Sequence, residues 1–237
     1  MGAVSLATLR ARARERADMV GSSFVADTAT SLDAWLNEGA QILHDKLVEA
    51  YGSEYLEKST TATTTTATDY ALPSDFYKLL GVDLLVQGAT VTLQPYMRPE
   101  RNFRSSQLLA YNFLPRYLLT GSNLRLTPAP QSGQTLTIWY VPPLQVLQNG
   151  SGSTYINLLT NTNDTINFPN GWERYVVLYA AIQAMLKEES DVRALQGELA
   201  KMDAQLDEII ENRNVSEPMQ AIDIYAKNNY LPWDYLP

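Results

Sequence analysis

Residues 170–213, NGWERYVVLYAAIQAMLKEESDVRALQGELAKMDAQLDEIIENR, decide the helical half of the fold. Trp172, Tyr175, Val176, Tyr179, Ile182 and Leu186 recur at helical spacing, which places them on one face of a helix. Asn170 stands at the cap position with Glu173 three residues on, a capping-box arrangement. After Glu189-Ser190 a second helix is expected from Asp191 to about Arg213. Its apolar positions, Val192, Leu195, Leu199, Met202, Leu206 and Ile209, alternate steps of three and four, as in a coiled-coil seam. The short connection makes the two helices antiparallel neighbours, so the seam is expected to pack on the preceding helix as an αα-hairpin.

Two further helices are legible at the other end of the chain. Leu6, Leu9, Ala13 and Ala17 give one face of a helix over 5–20. Arg10, Arg12, Arg14 and Arg16 fall on alternate positions and spread around it; a solvated basic face is expected, with contact to an acidic neighbour as the sharper alternative. In the next helix Thr30 is placed to cap, with Asp33 three residues on. Leu32, Trp35, Leu36, Leu43 and Leu47 form its stripe, Gly52 ends it, and Asp33, Glu38, Asp45 and Glu49 take the opposite face.

Between these halves the pattern changes. Thr60–Thr68, Leu79–Val86, Thr90–Gln94, Arg116–Thr120, Asn123–Thr127 and Thr135–Val141 are short β-prone segments. Gly88, Gly121-Ser122 and Ser132-Gly133 supply the hairpin signals between them. Residues 102–113 read as a helical or irregular excursion. Residues 148–168, QNGSGSTYINLLTNTNDTINF, read as a long polar loop, and a loop of that length is either functional or flexible. From Pro218 the chain becomes apolar and aromatic. Ile222, Ile224, Tyr225, Tyr230, Leu231, Trp233 and Tyr235 are expected to dock, on their own domain or on a neighbour, because burying each large side chain gains roughly 1.5–3 kcal/mol.

Composition narrows the chemistry. The chain has 237 residues, 45% of them hydrophobic, enough for a substantial core. It has no cysteine, which removes disulfides, thiolate metal sites and cysteine nucleophiles. Its one histidine, His44, lies within a helix, with no G-x-S-x-G elbow to face it. No Walker A, dinucleotide-binding or EF-hand pattern is present. The expectation is therefore no catalytic residue, no metal and no cofactor. No run approaches the roughly 20 apolar residues of a membrane span, and the N-terminus lacks a signal-peptide pattern; a soluble, unexported protein is expected. A net charge of −8 disfavours tight non-specific binding to nucleic acid and suits a surface that lets nucleic acid pass.

Four stretches carry a family resemblance: SLDAWLNEGAQILHDKLVEAYG (31–52), DYALPSDFYKLLGVDLL (69–85), NLRLTPAPQSGQTLTIWYVPPLQVL (123–147) and INFPNGWERYVVLYAAIQAMLKEESDV (166–192). Together they resemble the head–tail adaptor, or connector, proteins of tailed bacteriophages, particularly the short-tailed ones. The resemblance spans about residues 5–215. It implies a structural, non-enzymatic protein of the virion neck or tail, present in host cytoplasm during assembly. The implied assembly is a dodecameric homo-oligomeric ring beneath the portal protein. That ring extends the channel through which double-stranded DNA passes without sequence-specific binding, and it carries a tail, nozzle or fibre protein, with no membrane partner.

The expected fold is α+β: an antiparallel bundle of about four helices, an inserted small antiparallel sheet or partial barrel, and an extended tail. The expected domains are 1–52 with 169–215 (helical), 53–168 (β-rich, with the long loop) and 216–237 (the docking tail). Arg98, Arg101, Arg104, Arg116 and Arg125 make the middle locally basic between acidic helical flanks, and inter-subunit charge contacts are expected there through Arg98, Arg101 and Arg104. Two other readings stay open at this point, a neck-associated peptidoglycan hydrolase and a receptor- or carbohydrate-binding tail protein. A tail terminator or stopper is a third.

Overall fold

The structure, a computed structural model, describes residues 3–51, 56–100, 114–150 and 154–212. The fold is mixed α+β. Among the described residues there are four α-helices: α1 (Leu6–Arg16), α2 (Leu32–Tyr51), α3 (Glu173–Lys187) and α4 (Arg193–Asn212). In chain order the strands are β1 (Val4–Ser5), β2 (Lys58–Thr63), β3 (Asp69–Ala71), β4 (Lys78–Val86), β5 (Ala89–Thr92), β6 (Arg116–Thr120), β7 (Asn123–Thr127), β8 (Thr135–Val141), β9 (Val146–Leu147), β10 (Tyr155–Ile156) and β11 (Thr165–Ile166). Among the described residues the ladders between these strands are antiparallel, and an isolated bridge between Pro95 and Tyr117 is parallel. The expected excursion over 102–113 and the tail from Pro218 lie outside the described residues.

The helices share one core. Leu6 and Leu9 of α1, Leu36 and Leu43 of α2, and Tyr175 and Val176 of α3 are buried together. Gly39 lets α2 and α3 approach closely: a Cβ there would stand 3.0 Å from the Tyr179 ring. Helix α4 packs on α3, as the hairpin expectation has it, and on α2 as well. Val192, just before α4, and Leu206 are buried, while Leu195, Leu199, Met202 and Ile209 are half-buried on the core. Leu186, expected on the buried stripe of α3, is exposed.

The helix starts differ from the sequence expectation. The amides of Leu32 and Asp33 are taken by the carbonyls of Ala26 and Thr28, so α2 does not need a cap from Thr30. The Thr30 hydroxyl bonds that of Thr28 instead. Likewise α3 follows a 3₁₀ turn, Pro169–Gly171, and the side chain at its cap position, Trp172, makes no capping bond. Ser5 caps α1 by accepting from the Thr8 amide.

The central strands form two sheets, with orders β2-β8-β4-β5 and β3-β7-β6. The β4–β5 hairpin turns on Gln87-Gly88, both at positive φ (49° and 85°), the geometry that matches strand twist in a two-residue loop. One side of each sheet meets in a second core of Val82, Leu84, Leu124, Leu126, Leu136 and Ile138. Gln94 and Tyr96 bond to both sides of Tyr117, joining the sheets at one edge.

The stretch 148–168 is not simply a loop. Its β10 and β11 join β9 and β1 in a third sheet, order β1-β11-β9-β10, and Leu159 and Ile166 enter the helical core. Asp164, fully buried, organises it. Its carboxylate accepts from the amides of Asn149 (2.9 Å), Thr160 (2.8 Å) and Asn161 (2.7 Å) and from the Thr160 hydroxyl (3.0 Å). The first-turn amides of α1, at Leu6 and Ala7, donate to the carbonyls of Asp164 and Thr162. Asn37 of α2 holds Leu159 by both its N–H (2.7 Å) and its C=O (3.0 Å). Loop composition was visible in the sequence; its role in fastening β1, α1 and α2 was not.

Candidate functional site

Two concave surfaces stand out, and the residues lining each come from separate elements. The first is a groove of about 540 Å³ lined by Arg12, Glu15 and Arg16 of α1 and by Arg174 and Val177 of α3. It exists because the arginines of α1 have unequal fates. Arg10 forms a two-point ion pair with Asp33, Nε–Oδ1 2.7 Å and Nη2–Oδ2 2.8 Å. Arg14 bonds Asp27 and the carbonyls of Ser22 and Val25, tying down the 18–31 connection. The expectation of a wholly solvated basic face is therefore corrected for these two, because α2 brings Asp33 to Arg10 and the connection before α2 brings Asp27 to Arg14. Asp33 correspondingly leaves the solvent face expected for it and is buried.

Arg16 and Arg174 remain at the surface and converge on Glu198 of α4, at 3.6 Å and 2.7 Å. They hold the Glu198 carboxyl below its ordinary range, the Arg174 hydrogen bond contributing most. Arg12 is exposed and has no hydrogen bond or ion pair among the described residues. Three guanidinium groups therefore face one groove on a chain whose net charge is −8.

The second surface is a cleft of about 240 Å³ where α2 meets the segments flanking β4 and β8, lined by residues including His44, Asp45, Tyr77 and Leu144. His44 is buried, and its Nε2–H donates to the Pro142 carbonyl at 3.2 Å. The Tyr77 hydroxyl donates to Asp45 at 2.8 Å, and its ring stands edge-on to the imidazole, 6.0 Å between centroids. These contacts fasten α2 to the β-rich half. Burial lowers the His44 pKa, against the opposing effects of the Asp45 charge and the Pro142 bond. The unfolded chain therefore binds the proton more readily. Stability that depends on neutral His44 is complete above about pH 6.5 and is lost as pH falls towards the lowered value. His44→Gln is expected to flatten the dependence of urea midpoints on pH below about 6.5; parallel profiles for the two proteins would refute this.

Of the residues expected to make contacts, Arg98 lies exposed in a 3₁₀ turn, Arg98–Glu100, after the β4–β5 hairpin. Arg101 and Arg104 lie outside the described residues, as do Ile222, Ile224, Tyr225, Tyr230, Leu231, Trp233 and Tyr235. Arg125, also counted in the basic middle segment, pairs with Asp69 across β7 and β3 at 2.7 Å. Among the described residues no cluster of three or more His, Cys, Asp or Glu could hold a metal, and no helix is long and apolar enough to cross a membrane.

No curated protein matches the chain. The family model described as SU10 adaptor protein matches residues 4–222, which takes in both hydrophobic cores, the third sheet and all four helices. With nearly the whole chain matched, in agreement with the adaptor resemblance in its sequence, this protein belongs to the SU10 adaptor protein family of phage adaptors.

Proposed function

We propose that the chain is a head-to-tail adaptor whose copies form a ring beneath the portal, extend the DNA channel and give the tail its attachment platform. The observation that carries this reading is the family match over residues 4–222. The fold suits a scaffold: the half-buried Arg10–Asp33 pair and hydrogen-bonded clamps hold its parts together, and its charged groups lie mainly on outer faces. In this reading the four helices act as one bundle that builds the ring, while the joined sheets act as a partial barrel inserted in it. The helical domain is 1–52 with 169–215, and the insertion is 53–168. The aromatic segment 216–237 docks on a neighbour through Ile222, Ile224, Tyr225, Tyr230, Leu231, Trp233 and Tyr235, and Arg98, Arg101 and Arg104 contribute charge contacts between subunits. An acidic exterior lets DNA pass without holding it, since phosphate is repelled at short range. The working place is then the virion neck, reached from host cytoplasm.

Light scattering of the purified chain, alone and mixed with the portal protein of the same phage, tests this. The expected result is a mass increase corresponding to many copies per portal. A chain that leaves the portal mass unchanged overturns the reading.

A further inference from the structure

The groove between α1 and α3 gathers three cations and the Glu15 carboxylate, and only Arg16 and Arg174 are answered by an ion pair within the subunit. Arg12 and Arg16 are one helical turn apart, so their guanidinium groups form a short ladder on one face of α1. Arg174 completes the groove from α3. Glu198 answers Arg16 and Arg174 from one side; Arg12 has no partner among the described residues.

The last turns of α4 present the complementary feature. Asp207, Glu208 and Glu211 are exposed and pair with no cation among the described residues. Residues 207–217 carry four acids and one base, Arg213. Carboxylates at this end of a helix oppose its dipole, and the last turn of α4 carries no basic residue to compensate. A local electrostatic cost of this kind is expected where a second surface relieves it. Asp207 and Glu211 are also four residues apart, so their ladder has the same spacing as Arg12 and Arg16.

One copy cannot satisfy itself. Glu198 borders the groove, and Glu211 lies thirteen residues further along the same continuous helix, about 20 Å away at 1.5 Å per residue. We infer that the Arg12–Arg16–Arg174 groove of one subunit receives the Asp207–Glu211 edge of α4 from a second copy of this chain. Two different patches meet, so the contact is head-to-tail and repeats from copy to copy, closing into a ring when the rotation permits. The inference rests on the ring reading above and assigns a surface to it.

The test is assembly of the full chain on the portal, followed by light scattering. Arg12→Glu removes no hydrogen bond or ion pair among the described residues, so its thermal midpoint should match the parent while assembly weakens about tenfold or more. Glu211→Arg should weaken assembly similarly. Combining Arg12→Glu with Glu211→Arg in one chain should restore it, because opposite charges face each other again. In parallel, Arg12→Lys allows carbodiimide cross-linking in an equal mixture of ¹⁴N- and ¹⁵N-labelled chains. A mixed-isotope cross-link from Lys at position 12 to Asp207, Glu208 or Glu211 is expected. If the parent assembles on the portal but Arg12→Glu assembles equally well and no such cross-link forms, the interface is overturned and the adaptor reading stands. If the parent itself does not gather on the portal, both are overturned.

Discussion

Asp164→Ala is expected to lower the unfolding free energy by about 3–5 kcal/mol. The carboxylate is the acceptor for the amides of Asn149, Thr160 and Asn161 and for the Thr160 hydroxyl. Each buried donor left without an acceptor costs about 1–3 kcal/mol, and local relaxation towards water offsets part of the sum. The effect should reach beyond the segment, because the carbonyls it positions take the Leu6 and Ala7 amides of α1, and β11 pairs with β1. Urea unfolding gives the magnitude, and hydrogen exchange at Asn149, Thr160 and Asn161 gives the location. A loss below about 1 kcal/mol would mean that these amides find other acceptors cheaply. The pH behaviour follows from the same bonds. Burial opposes the charge on Asp164, but the donations from Asn161, Asn149 and Thr160 outweigh it and the pKa is lowered. The stabilisation is therefore present above the unfolded value, about 3.9, and is lost as pH falls through the lowered folded value. Asp164→Asn should remove that part of the acid limb while keeping one acceptor oxygen.

Asp33→Ala is expected to cost about 3 kcal/mol. Arg10 and Asp33 meet in two parallel bonds, with side-chain exposures of 18% and 9%. Breaking one partner of a fully buried pair costs about 3–5 kcal/mol because a charge is left without its counterion; the residual solvent contact of Arg10 places this pair at the lower end. Replacing both, as Arg10→Met with Asp33→Leu, should recover most of the loss, since an apolar pair of similar size carries no desolvation cost. The parent, Arg10→Met, Asp33→Leu and the double variant form a double-mutant cycle read from urea midpoints at constant slope. A coupling energy near zero would show that the two groups act independently and would remove the pair from the account of how α1 is held on α2.

The regular elements were legible in the sequence because their signals are local. The 3.6-residue repeat of Leu32, Leu36, Leu43 and Leu47 locates α2, and the β-prone runs at 116–120 and 123–127 coincide with β6 and β7. Cap residues were less legible. A Thr or Asn before an apolar stripe signals a cap only if no backbone carbonyl reaches the first amides, and at α2 the carbonyls of Ala26 and Thr28 do. The seam of α4 gave its phase but not its depth: Leu195, Leu199 and Met202 face inward yet remain half-buried, because α4 covers the outside of α2 and α3 and is not enclosed by them.

The sequence by itself determined the class of the protein, the helices at both ends, the β-rich middle and the adaptor family, since periodicity, turn residues and motifs are properties of neighbours along the chain. Tertiary structure alone decided which charges meet. Alternation along α1 makes Arg10, Arg12, Arg14 and Arg16 look equivalent, yet Asp33 stands 23 residues from Arg10 and Glu198 comes from the far end of the chain. Packing of α1 on α2 sets one half-buried arginine against a buried carboxylate, while packing of α1 on α3 gathers two others at an open groove. The same holds for Asp164, a turn former by its neighbours and a buried anchor by its surroundings. Coulomb and hydrogen-bond energies depend on distance in space and on burial, and neither is written in the order of residues.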